Sequence, residues 1–448
     1  MQIRQNKSVR LSGYSYLSNS ISPFLNRGKE PGLDLDTFLF SFAVIACIYM
    51  ACNIGANDVA NAMGTSVGSK TLTFRQAIMV AAVAEFIGAF FVGGEVSDTI
   101  RKGMLDPAVF EAVPYHLVYG MISALVAAAL WLHIASFLGW PVSTTHSIVG
   151  GVVGFGVIAG GMDVINWGKV GMVVLSWVVS PVMGGLFAFL VFKFISKTVF
   201  SKQTPLVHAK NLLPYMVFFV FVILSNAMVY KGLKNLHLDL SFARALVISL
   251  MVGALAFVIT QYLARKIPCD PSWDLQKQFH ETEGAFKYLQ ILTAFYVAFA
   301  HGSNDVANAV GPLAAVVAIL NDGQVHMKVA MPTWILGLGG GFIVFGLMIW
   351  GARVMATIGE KITEITPSRG FAAEFGAATV VLICSKMGLP ISTTHTLVGS
   401  VIGVGLARGL PTLNLDIIKM IGISWISTIP FTAAISMLCF KTFLIFLP

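Results

Sequence analysis

Two strings in this sequence gather the residue types that hold ions. GANDVANAMGTSVGS begins at Gly55, and GSNDVANAVGPLAAV begins at Gly302. Each follows directly on a long apolar run and places one carboxylate, Asp58 or Asp305, between two amides. The amides are Asn57 and Asn61 in the first string and Asn304 and Asn308 in the second. Carboxylate and amide oxygens form a hard ligand set that suits a small cation such as Na⁺. A carboxylate can take up a proton instead. An acid near the middle of a bilayer costs about 2.5–3.5 kcal/mol on insertion scales, so an acid there calls for a function. Asn and Asp also cap helices, and capping at a break is compatible with ion binding.

A second pair of strings offers the opposite chemistry. WPVSTTHSIVGG runs from Trp140, and LPISTTHTLVGS runs from Leu389. Pro141 and Pro390 stop whatever precedes them, and Ser143 and Ser392 are placed to cap the helices that follow. Free backbone N–H groups and the positive end of the helix dipole then face the break. That is an anion site, to which Thr144, Thr145, Thr393 and Thr394 add hydroxyl donors. Two such ends aimed at one point would cradle a tetrahedral oxyanion. His146 and His395 close the strings; their choices are hydrogen bonding in the core or a part in handling substrate or protons. His133 and His301 read as ordinary core histidines. Glu85 and Glu374 sit within apolar runs, at positions that do not match between the two halves. Each can pair with a cation, carry a proton or bond a neighbouring helix.

The elements that position these residues follow from composition. Of 448 residues, 56% are apolar and only 11% charged. Soluble domains carry roughly 25% charged residues, so lipid must wet most of this surface. Apolar runs are expected to span at about 37–56, 76–94, 116–139, 168–197, 212–232, 242–264, 288–303, 333–358, 370–388 and 417–447. Two Gly-rich runs, 141–160 and 390–408, either span or dip in and out as broken helices. The expectation is ten to twelve membrane segments, all helical, because a barrel would show short alternating strands.

The duplication is regular. Asn57 and Asn304 are 247 residues apart, Pro141 and Pro390 are 249 apart, and Trp177 and Trp425 are 248 apart. Internal repeats in a membrane protein mark a transporter whose site lies where the repeats meet. If every run between the two Asn-Asp strings spans, those strings enter from opposite sides, which favours inverted repeats. The expected units are a polar tail at 1–36, a first repeat at 37–200, a connecting region at 201–287 and a second repeat at 288–448. The connecting region holds two spans and the polar stretch 265–287.

Other classes lose ground on the same reading. The net charge of +8 is spread between apolar runs, with no dense basic stretch interleaved with aromatics, so nucleic acid is not a partner. The five cysteines form no Cys-x-x-Cys pair and indicate neither disulfides nor zinc. There is no Gly-x-x-x-x-Gly-Lys-Ser/Thr loop for ATP and no hydrolase motif, so an enzyme is not expected. Residues 1–36 are polar and Ser-rich with no acid before Glu30; they read as a cytoplasmic tail or a short transit-like peptide.

GANDVANA at 55–62, GSNDVANAVGP at 302–312, the two Pro-x-Ser-Thr-Thr-His strings and RGFAAEFGAATVVLICSKMGLPISTTHTLVG at 369–399 resemble the inorganic phosphate transporter (PiT) family. The resemblance covers about 37–200 and 288–448. It implies an all-α polytopic protein of two inverted repeats with broken or re-entrant helices. It implies symport of inorganic phosphate with Na⁺ or H⁺ by alternating access, with no cofactor beyond the coupling ion. Cations would lie at Asp58 and Asp305 with Asn57 and Asn304 alongside, and phosphate at Ser143–Thr145 and Ser392–Thr394. Glu85 and Glu374 match glutamates that matter for transport in the family. Moving phosphate alone against an inside-negative potential costs about 2.3 kcal/mol per charge per 100 mV, which co-transported cations cancel. The alternatives are another oxyanion such as sulfate, or an intramembrane phosphatase-type enzyme. The expected location is the plasma (bacterial inner) membrane, with an organellar inner membrane as the alternative. A homodimer is one assembly open to such a chain.

Overall fold

The structure, a computed structural model, describes residues 34–93, 104–232, 240–325, 331–387 and 391–447. Most of the polar tail and Pro390 lie outside the described residues. Among the described residues every regular element is helical, apart from an isolated bridge pairing Leu105 with Ile165. The helices are α1 (Leu35–Gly68), α2 (Phe74–Val92), α3 (Pro114–Leu138), α4 (Thr144–Gly160), α5 (Trp167–Ile195), α6 (Pro205–Ala227) and α7 (Phe242–Arg265). They continue with α8 (Leu275–Asp322), α9 (Thr333–Trp350), α10 (Ala352–Ala356), α11 (Pro367–Lys386), α12 (Thr393–Arg408) and α13 (Leu415–Phe446).

Eight of these are long and apolar enough to cross a membrane, and a ninth span forms if the bent pair at 333–361 is counted as one. The expected run 333–358 is thus not one straight rod; its two halves meet at 77°. The ten to twelve segments read from sequence are reached only by including the shorter or more polar α4, α11 and α12. α4 and α12 are 17 and 16 residues long, and each starts after an extended N-cap serine, Ser143 or Ser392. α11 carries Ser368, Arg369 and Glu374 among its apolar residues.

The helix α8 is the mast of the molecule. Its 48 residues span about 72 Å at 1.5 Å per residue, and 94% of its apolar window is buried. The sequence pattern starts this span at 288 and reads 265–287 as a polar separator. The structure starts the helix at Leu275, where the Asp274 side chain accepts from the Lys277 N–H at 3.0 Å. Polarity at 275–287 therefore does not mark the end of the helix. At that end Glu283 accepts from the Ser368 N–H at 2.8 Å and from its hydroxyl at 2.7 Å, so a side chain of α8 caps α11. Nearby, the Arg369 guanidinium bonds Glu364 and, with Arg408, holds that carboxyl below the usual carboxylate range.

Packing exchanges partners between the two repeats. α1 packs on α9 and α8 on α2; α4 packs on α13 and α12 on α5. Replacing each helix by its sequence counterpart maps one pairing onto the other. Glycine makes the closest of these approaches. A β-carbon at Gly55 would collide with the carbonyl oxygen of Ile343 on α9, and one at the equivalent Gly302 with that of Glu85 on α2. Small residues let helices approach closely where lipid gives no hydrophobic drive for association. α6 and α7 stand outside this interlocked set, paired with each other and touching the rest mainly through α6 on α8.

Candidate functional site: the crossing of two helices and two helix starts

Asn57 and Asp58 lie in the interior of α1, and Asn304 and Asp305 in the interior of α8. Neither helix breaks there, so these residues do not cap. Alanine at 56, 60 and 62 favours an unbroken helix, and the polar side chains find partners on other elements. The breaks fall instead at the second pair of strings. α3 ends at Gly139 in the left-handed region (φ 72°), and residues 140–143 run without helix before α4 begins. Ser143 caps α4 by accepting from the His146 N–H at 3.1 Å, and Ser392 caps α12 by accepting from the His395 N–H at 3.1 Å. The sequence reading placed both caps correctly. The N–H groups of Thr144, Thr145, Thr393 and Thr394 precede the first intrahelical bonds, Ser147 to Ser143 and Thr396 to Ser392.

The four strings meet in the middle of the protein. Thr145 donates to the Ile391 carbonyl at 3.0 Å, and its counterpart Thr394 donates to the Val142 carbonyl at 3.1 Å. The two helix starts are thereby tied across each other. Asn61 of the first repeat donates to Thr394 of the second at 2.7 Å, while Asn308 of the second reaches Thr145 of the first at 3.4 Å and Thr144 at 3.1 Å. Asn57 and Asn304 brace the stretches that lead in. Asn57 bonds Ser136, the Trp140 carbonyl and the Val142 N–H; Asn304 bonds Ser385 and the Ile391 carbonyl. Ser136 and Ser385 are again 249 apart.

The aspartates complete the crossing. Asp58 accepts from Asn61 at 2.7 Å and Thr394 at 3.2 Å through Oδ1. Asp305 accepts from Asn304 at 2.7 Å through Oδ1 and from Thr393 at 2.5 Å through Oδ2. Both are fully buried. Between them stands His301. Its Nε2 is 2.9 Å from Asp305 Oδ2 and 3.4 Å from Asp58 Oδ2, and its Nδ1 is 3.1 Å from Glu85 Oε1. The sequence pattern reads His301 as a core histidine; it is buried, and it joins both Asn-Asp strings to Glu85. The signal available was its spacing: His301 and Asp305 are four apart on one helix, so they share a face. Ligand atoms of Asp58, His301 and Asp305 lie within 4.8 Å of one another, close enough to hold one metal ion.

The remaining expected residues fall in two separate places. Glu374 is buried with Oε1 accepting from Thr65 (2.6 Å), Ser66 (2.7 Å) and Gln290 (3.2 Å), and Oε2 from Thr293 (2.6 Å). It joins α11 to α1 and α8, one turn or more from the aspartates along each. His146 and His395 pack edge to face with ring centroids 4.3 Å apart, against Trp177 (3.7 Å) and Trp425 (3.5 Å) respectively. They form an aromatic cluster behind the helix starts, in which His395 Nδ1 lies 3.3 Å from the Trp177 carbonyl. His133 packs near Tyr49, 6.0 Å between ring centroids.

The sequence pattern of the phosphate transporter family matches residues 54–436, which includes both strings of each kind and the stretch between the repeats. This chain belongs to the phosphate transporter family. It is a multi-pass membrane protein of a transporter family and not an enzyme. The earlier resemblance left the middle region uncovered; the family match runs through it. The transporter is 47% identical over 411 residues, 91% of its length and 98% of the relative's, to a Pyrococcus abyssi protein whose provisional name is phosphate permease. It is 44% identical to "Inorganic phosphate transporter 2-1, chloroplastic" of Arabidopsis thaliana, across 93% of this chain and 74% of that one. Its fold matches a solved structure titled "The sodium-dependent phosphate transporter" with a TM-score of 0.85 and 42% identity, covering 92% of this chain and 100% of that one.

Proposed function

We propose that this protein carries inorganic phosphate across the membrane in symport with Na⁺ or H⁺, and that the crossing of α1, α8 and the starts of α4 and α12 is its site. The observation that carries the reading is the direct meeting of carboxylates and helix starts in one buried place, as in the Thr393 to Asp305 bond of 2.5 Å. Phosphate would be held by Ser143, Thr144, Thr145, Ser392, Thr393 and Thr394 with the free N–H groups beside them. The cation would be held at Asp58 and Asp305 with Asn57, Asn61, Asn304 and Asn308. Asn61 Oδ1 supports this, being a buried acceptor without a hydrogen-bond donor among the described residues, and Asp58 Oδ2 has the His301 ring no nearer than 3.4 Å. Carboxylates there also outnumber the single imidazole of His301, a surplus that a mobile cation or proton offsets.

The exchange of helix partners between 37–200 and 288–448 supports two inverted repeats that rock about the crossing to give alternating access, with 201–287 as their connector. Glu85, Glu374, His146 and His395 would act in the movement around the site and not as direct phosphate ligands. The same reading includes a homodimer and a plasma or bacterial inner membrane. A second location, an organellar inner membrane, is favoured by the chloroplast-named relative and the acid-poor, Ser-rich start of the chain. The test is uptake of radiolabelled phosphate into proteoliposomes under imposed Na⁺ or H⁺ gradients, with sulfate as competitor. Gradient-driven phosphate uptake is expected. No uptake under either gradient sinks the reading, and equal competition by sulfate replaces phosphate with oxyanions at large.

A further inference from the structure

The α6–α7 pair carries a feature that phosphate movement does not use. A cavity of about 380 Å³ opens where the start of α6 meets the end of α7 and the turn after it. Its polar wall is Lys210 and Asn211 from α6, and Gln261 and Arg265 from α7, four apart and so on one face. Among the described residues that line it there is no carboxylate. The Lys210 ammonium donates to the Ile267 carbonyl at 2.6 Å, which holds it at the turn with further protons to give. Lys266 lies beside this, 4.4 Å over the ring of Tyr262. Toward the bilayer the same two helices present Tyr215, Phe219, Val258 and Tyr262, each more than half exposed. Only 17% of the apolar window of α7 is buried, so this apolar face lies open.

Cations and amides at the polar end and a bare apolar face below match the two parts of one kind of molecule. We propose that this cavity binds the headgroup of an anionic phospholipid, with its phosphate between Lys210 and Arg265 and its acyl chains along the exposed faces of α6 and α7. Charge selects the occupant: a zwitterionic headgroup brings its own cation to a place that already has two. Basic pockets between membrane helices at the polar interface bind anionic headgroups in this way.

The test is native mass spectrometry of the full chain in detergent, with phosphatidylglycerol or phosphatidylcholine added at equal concentration. Preferential retention of phosphatidylglycerol is expected. Substituting Lys210→Ala together with Arg265→Ala should weaken that retention about 30-fold, two cations' worth. Lys210→Arg with Arg265→Lys should keep it. Millimolar inorganic phosphate should leave the bound lipid in place. Equal retention of the two lipids by the unaltered protein overturns the proposal. So does undiminished retention by the alanine variant, or displacement by inorganic phosphate, which assigns the cavity to the free anion.

Discussion

The strings Asn57–Ala62 and Asn304–Ala309 are identical in sequence and sit in unlike company. Both lie inside long helices, both are approached through a glycine contact, and both send an asparagine to the other repeat's helix start. Their aspartates differ. Asp305 has His301 at 2.9 Å and Thr393 at 2.5 Å, whereas Asp58 has the same histidine at 3.4 Å and Thr394 at 3.2 Å. One position differs in kind: where the second repeat has His301, the first has Ile54. Duplication thus builds a symmetric frame, and departures from it at His301, Glu85 and Glu374 make the charges inside unequal.

Substitutions can break that comparison. The largest effect is expected from Asp305→Asn and Asp58→Asn. Each should cut coupled phosphate uptake in proteoliposomes at least about 100-fold, since removing one partner of a buried charged set costs about 3 kcal/mol or more. Asp305→Asn should also lower the melting temperature further, because its carboxylate is the nearer to His301. Full activity in both variants removes the proposed cation role, and identical melting erases the asymmetry. Next comes His301→Ile, which gives the second string the first one's residue. Uptake should fall about 30-fold, the loss of hydrogen bonds to charged groups at about 2 kcal/mol. Unchanged uptake would make the two residues interchangeable.

Smaller effects sharpen the contrast. Thr393→Val removes a donor from a carboxylate and should slow uptake about 10-fold; Thr144→Val removes an acceptor for an amide and should slow it about 3-fold. A reversed order would place the stronger demand in the first repeat. The most symmetric effect should be on stability. Ser143→Ala and Ser392→Ala each lose one cap, about 1 kcal/mol, and should shift thermal unfolding equally. A clear difference between them contradicts equivalence of the helix starts.

The sequence made the local parts of this site legible. Capping serines, helix starts and the paired aspartates depend on neighbours a few residues away, and their repetition marked them out. What it could not display was company across the fold. His301 was passed over because the repeat that drew attention to its neighbours lacks a histidine at Ile54. Glu85 and Glu374 looked alike as buried acids, but one meets that histidine and the other meets four donors from α1 and α8. The Asn-Asp strings looked apt for a helix break because Asn and Asp cap well alone; across the fold, bonds to the other repeat give them a different employment. The bend near 350 and the polar first turns of α8 were hidden for a related reason, since hydropathy reports what lipid touches and not where a helix turns or ends.

The most direct test is phosphate binding to the purified protein by calorimetry, with and without Na⁺, at two pH values, for the unaltered chain and Asp305→Asn. Linkage is reciprocal, so a cation held beside phosphate must tighten it. We expect phosphate to bind more tightly on adding Na⁺ or on acidification, and this dependence to vanish in Asp305→Asn. Phosphate affinity that ignores both cation and substitution would contradict a shared site at the crossing.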